Sequence, residues 1–135
     1  MRKWVHAACA AAIVGGAATA MLSQAAEPVA VKPTELISTP LTGDATREVR
    51  ILNVAIPPGA DSGRHFHHGD QYTTVQEGEI EITVDGSGAH LLKAGQVLHI
   101  PPMVVHETRN LSNQPARTTE LFIVAKGQPL TEKAK

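Results

Sequence analysis

Residues Glu79–Val84 alternate without a break: Ile80, Ile82 and Val84 share one face, and Glu79, Glu81 and Thr83 share the other. A period of two with a polar outer side predicts a half-buried β-strand. Weaker forms of the signal recur. Val49, Ile51, Val54 and Ile56 give a β-branched-rich run over 47–56 that Pro57-Pro58-Gly59 ends. Short strands are predicted over 72–75, 90–92, 97–100, 105–111 and 118–125. Between them lie turn residues: Glu77-Gly78, Lys93-Ala94-Gly95, Pro101-Pro102 and Ser112-Asn113-Gln114-Pro115, with Asp85-Gly86 as a hairpin signal. Segment 27–44 is rich in Pro, Thr and Ser and reads as an arm or edge strand, 59–69 as a loop, and 127–135 as a loose tail. After residue 25 no helical period of useful length survives. Many short strands at close spacing predict an all-β sandwich or barrel.

The first 25 residues read as an export signal. Arg2 and Lys3 are the positive start, 5–22 is apolar and Ala-rich, and Ser23-Gln24-Ala25 offers a small-residue cleavage site. The expected organisation is a signal peptide over 1–25, an N-terminal arm over 26–45, one barrel domain over 46–126 and the tail. The mature protein is expected to be periplasmic or secreted, with no stable membrane anchor after cleavage.

Cleavage changes the available chemistry. The full chain of 135 residues carries a net charge of −1, and losing two bases makes the remainder more acidic. It also removes Cys9, the single cysteine, and Trp4, the single tryptophan, leaving Phe66, Tyr72 and Phe122 as the aromatics. A slightly acidic, aromatic-poor surface argues against nucleic-acid binding. No disulfide, cysteine nucleophile or thiolate ligand remains, so any metal site must use histidine and oxygen donors. A small core without disulfides makes a homodimer the expected assembly.

Histidine supplies the candidate chemistry. His65 and His67, two residues apart on an extended segment, project to the same side. His106, from a later strand, can complete a cluster of neutral imidazoles suited to one divalent transition metal ion, whether iron, manganese, nickel, zinc or copper.

These residues sit in two ordered patterns. Gly59, His65, His67, Gln71 and Gly78 resemble the first cupin motif, and Gly95, Pro101, His106 and Asn110 resemble the second. Eight of the ten motif positions agree. The resemblance runs from about Arg47 to Ala125 and implies a cupin, a jelly-roll-type β-barrel of the small single-domain kind. It implies a mononuclear metal site on His65, His67, Gln71 and His106, and a small-molecule ligand or substrate.

Two positions depart from the family. The metal-binding glutamate is Gln71 here, and the glycine after Pro101 is Met103. An amide carbonyl is a weaker, neutral ligand, so the site would keep the full charge of a divalent ion, which favours an anionic substrate. At Met103 the substitution is expected to be mild, because Pro101-Pro102 already fixes much of the turn. Asp70 is a possible replacement carboxylate, but alternation points it away from the ligand side. His99 reads equally as pocket lining or as packing, and Arg64 and Arg109 as surface charges or as attractors of an anion. Asn110 is expected to make structural hydrogen bonds, although Asn110-Leu111-Ser112 is also a glycosylation sequon.

The resemblance leaves three functions open, since the fold hosts many. The leading one is a metal-dependent oxidoreductase of the dioxygenase kind acting on a small organic molecule, with no catalytic residue named. The second is a non-catalytic periplasmic cupin that binds a metal or small ligand. The third is a metal-independent isomerase or structural cupin.

Overall fold

Ten strands form in the computed structural model, which describes residues 27–135. The expected export signal lies outside them. The first sheet contains β1 (Lys32–Leu41), β2 (Asp44–Ile56), β4 (Gly69–Glu77), β7 (Val97–Ile100) and β9 (Ala116–Ala125), in the order β1-β2-β9-β4-β7. The second contains β3 (His65–Phe66), β5 (Glu79–Val84), β6 (Gly88–Lys93), β8 (His106–Arg109) and β10 (Glu132–Lys133), in the order β10-β3-β8-β5-β6. All paired strands run antiparallel. Two such sheets facing each other make the jelly-roll barrel.

Alternation decides what lies between them. Ile80, Ile82 and Val84 on β5 are buried, as their spacing requires, and face Leu52, Val54 and Ile56 of β2 and Phe122 and Val124 of β9 across one core. The inward rows are not wholly apolar. Gln71 and Thr73 on β4, Thr108 on β8 and Thr118 on β9 are buried beside them. Burying such groups costs free energy unless each finds a partner, so the polar half of the interior is where a bound group belongs.

Of the two end segments, the first takes the edge-strand alternative and the second differs from expectation. Most of the N-terminal arm is β1, a ten-residue edge strand paired along its length with β2. The tail expected to be loose over 127–135 contains β10, which pairs with β3 through Glu132↔Phe66 and Lys133↔His65. No alternation could reveal so short a strand. Its order comes from β3, whose free edge it covers.

Turn chemistry locks the loops. Gly78 has φ +74°, and a Cβ there would come within 2.7 Å of the Pro115 carbonyl oxygen and 3.0 Å of Ala116. Only glycine fits that left-handed, crowded position. Met103, in the family's other glycine position, also has φ 65° and is the one non-glycine residue with positive φ among the described residues. The expectation of a mild substitution is therefore corrected. Pro101-Pro102 shapes the approach to the turn but does not remove its need for left-handed backbone.

Candidate metal centre

Register brings the histidines together. His65 on β3 stands directly opposite His106 on β8, and His67, two residues on, returns to the same side. Ring centroids lie 4.3 Å apart for His65–His106, 5.0 Å for His65–His67 and 5.1 Å for His67–His106. All three are buried, and their ligand atoms lie within 4.8 Å of one another. Such a group can hold a metal ion.

Backbone carbonyls fix how each ring faces. His65 Nδ1 is 2.7 Å from the Gly63 oxygen, His67 Nδ1 is 2.6 Å from that of Leu130, and His106 Nδ1 is 3.0 Å from that of Val104. A carbonyl only accepts, so each Nδ1 carries the proton and donates, and each Nε2 keeps its lone pair. Metal-binding histidines are commonly oriented in this way. Burial holds the rings neutral, pushing His67 and His106 down to about 4 and lowering His65 as well.

Gln71 lies in the same interior. Its Nε2 donates to Thr73 Oγ1 at 3.0 Å and to Glu120 Oε2 at 3.3 Å, which leaves Oε1 as the end of the amide without a partner. Among the described residues, the buried side-chain polar atoms lacking a hydrogen bond are His67 Nε2, His106 Nε2 and Gln71 Oε1. Buried polar atoms are rarely left unpaired, and three acceptors sharing one small volume fit a cation. The donor set of neutral imidazoles and an amide oxygen suits the borderline divalent metals expected from the sequence.

A cavity of about 310 Å³ opens beside His65 and His67. Leu52, Val54, Phe122 and Leu130 give it apolar walls, and Glu120 is its carboxylate. Glu120 was not anticipated from the sequence. Burial raises it to about 7, against the lowering effect of donors from Thr118 and Gln71. A signal existed: Glu120 has the same parity as Phe122 and Val124, so it had to point inward.

Other candidates fall outside the site. Asp70 faces outward and lies 2.7 Å from His99 Nε2, and His99 stacks on Tyr72 with rings 18° from parallel. This settles His99 as an outer-face residue rather than pocket lining. Arg64 pairs with Asp85, and Arg109 pairs with Asp61 and Glu107, so neither guanidinium is free at an entrance. Asn110 is fully buried. Its Nδ2 donates to the Ile56 and Gln114 oxygens, and its Oδ1 accepts from Ser112. That occupied amide is structural and inaccessible to glycosylation in the fold.

The cupin domain family (Cupin_2) matches residues 52–124. The chain belongs to that family. No functionally curated protein matches it. Among solved structures it is similar to an uncharacterized conserved protein with a double-stranded beta-helix domain from Klebsiella pneumoniae subsp. pneumoniae MGH 78578. The identity is 23% and the TM-score 0.61, covering 77% of this chain and 86% of that one. It is also similar to the DMSP lyase DddQ from Ruegeria pomeroyi DSS-3, with 18% identity and a TM-score of 0.64 over 78% of this chain and 52% of that one. Lactobacillus farciminis oxalate decarboxylase matches with 21% identity and a TM-score of 0.56, over 63% of this chain. The chain spans 52% of the lyase and 26% of the decarboxylase. At these identities the likeness shows the fold.

Proposed function

We propose that the protein is a mononuclear metal-dependent enzyme acting on a small organic molecule, with His65, His67, His106 and Gln71 as the ligands. One observation carries this reading: the oriented Nε2 atoms of His67 and His106 and the Gln71 oxygen are buried without partners, and His65 and His67 of the same cluster line a mostly apolar cavity. A divalent ion there would supply Lewis-acid polarisation and, if redox-active, a means of using oxygen. The chain's own residues do the rest. The apolar walls exclude water and hold the body of the substrate, the three carbonyl contacts keep the imidazoles oriented, and Glu120 can hold or accept a proton inside the cavity. The lyase and decarboxylase structures support an enzyme on this barrel, and oxygenase chemistry remains our choice of reaction class. The export-signal pattern of residues 1–25 supports export. The apolar Leu36 and Ile37, exposed on edge strand β1, support a homodimer.

The test is oxygen uptake by iron-, manganese-, nickel-, zinc- and copper-loaded protein over a panel of dihydroxylated aromatics and diketones. Metal-dependent uptake with one of them supports the proposal, and inertness of all five forms refutes oxygenase chemistry. A second reading has its own support, since among the described residues Glu120 is the only acidic or basic side chain besides the histidines on the cavity wall. It is a binding module, and a ligand that raises the melting temperature without being converted would favour it.

A further inference from the structure

The family's carboxylate is missing from position 71, yet the cavity still has one. Glu120 reaches the interior from β9, where register sets it opposite Thr73 of β4 and Leu52 of β2. Its Oε2 accepts from Gln71 Nε2 at 3.3 Å and its Oε1 from Thr118 Oγ1 at 3.2 Å. Both contacts are long, and both donors are neutral. Two carboxylate oxygens offer about four acceptor positions, so capacity remains. Among the described residues no lysine or arginine lines the cavity to use it. A partly buried carboxylate without a cationic partner is costly, and here it faces space that a ligand would fill.

We propose that Glu120 is a specificity-determining residue that selects ligands carrying a hydroxyl or amino group on a small apolar body, by accepting a hydrogen bond from that group. The inference rests on the cavity beside the histidines being the ligand site. Leu52, Val54 and Phe122 hold the apolar body by contact area alone and discriminate weakly. Glu120 discriminates strongly, because an isostere with a methyl group in place of the donor leaves the carboxylate without its partner. The departure at position 71 then has a consequence beyond metal affinity. The acceptor oxygens that a ligating glutamate would spend on the ion stand instead on the cavity wall, available to a donor on the substrate. An anionic substrate, favoured by the neutral ligand set alone, would meet this carboxylate and no compensating base. The preferred ligand therefore presents a donor.

The experiment compares benzyl alcohol, benzylamine and ethylbenzene as probes. Binding to zinc-loaded protein is followed by calorimetry and by methyl NMR shifts of Leu52 and Val54. The wild type should prefer the alcohol and the amine over ethylbenzene by about tenfold or more. Glu120→Leu should cut that preference severalfold while ethylbenzene binds as well or better. Glu120→Gln keeps a carbonyl acceptor and should largely retain the preference for the alcohol, a rescue that a merely structural role would not give. Zinc is common to all three proteins, so direct coordination by a probe cancels in the comparison. A preference unchanged in Glu120→Leu, or no preference in the wild type, overturns the proposal while leaving the cavity reading intact. Failure of all three probes to shift Leu52 and Val54 overturns the cavity reading, and the proposal with it.

Discussion

His67 Nδ1 donates to the Leu130 carbonyl at 2.6 Å across 63 residues of sequence. The contact ties the C-terminal segment to the candidate metal centre. Leu130 and Thr131 also line the cavity, and β10 holds the segment against β3. The end of the chain is thus part of the site's wall and of one ligand's orientation.

Deleting residues 128–135 should therefore lower metal affinity by about 10- to 100-fold, the usual cost of removing an orienting partner. Competition with a chromogenic chelator measures it. Unchanged affinity would mean that Leu130 does not orient His67.

Acid should act on the fold and on the metal in different windows. In the metal-free protein His67 and His106 hold protons only near pH 4, against 6.5 when unfolded. Between those values the unfolded chain binds protons that the folded chain does not, so stability present above pH 6.5 is lost as pH falls towards 4. The scale is up to about 1.4 kcal/mol per pH unit for each ring. Glu120 opposes this. Raised to about 7, it is protonated in the folded chain over the range where the unfolded chain has lost that proton, so Glu120→Gln should steepen the acid-side loss. Urea melts of both proteins at pH 4.5, 5.5 and 7 test the sign, and a flat wild-type profile would contradict it. Bound metal, in contrast, should be retained well below pH 6.5, because the buried rings resist protonation. That lowers the threshold expected for free imidazole.

Gln71→Glu should tighten metal binding, since it puts a charged oxygen where a neutral one now points. The same change faces Glu120 with a second carboxylate in place of a donor, so the metal-free protein should lose stability at neutral pH. Metal titration and melting of the metal-free form read the two effects separately. Affinity unchanged across several metals would show that residue 71 does not touch the ion.

Met103 tests the backbone. Its N–H donates to the His67 carbonyl at 2.9 Å, and its side chain is 53% exposed, so the left-handed backbone is not repaid by packing. Met103→Gly should stabilise the protein by up to about 1 kcal/mol, with the relief of strain partly offset by a more flexible unfolded chain. Equal or lower stability in chemical denaturation would show that the side chain contributes more than its exposure suggests.

The barrel was legible because its strands carry their own evidence in alternation and punctuation. The run 79–84 matches β5, with the face of Ile80, Ile82 and Val84 buried. The histidines were legible because His65 and His67 share a parity and spacing fixed where His106 would fall. What stayed hidden depends on pairing at long range. β10 is two residues long, and no local pattern marks a strand ordered by its partner. Glu120 was hidden differently. Its inward parity was readable, but charge on a strand ordinarily signals the wet face, and only the register with Thr73 and Leu52 places it in the cavity. His99 was ambiguous until its pairing opposite Tyr72 on β4 set the outward side.

Metal stoichiometry decides whether His65, His67 and His106 hold an ion. Elemental analysis of protein purified from its native compartment, beside His106→Ala prepared in the same way, should find one divalent transition metal ion per wild-type chain and almost none in the variant. A metal-free wild type that also fails to take up any of the five ions, or a variant that keeps the full complement, would mean that the three histidines are not a metal site.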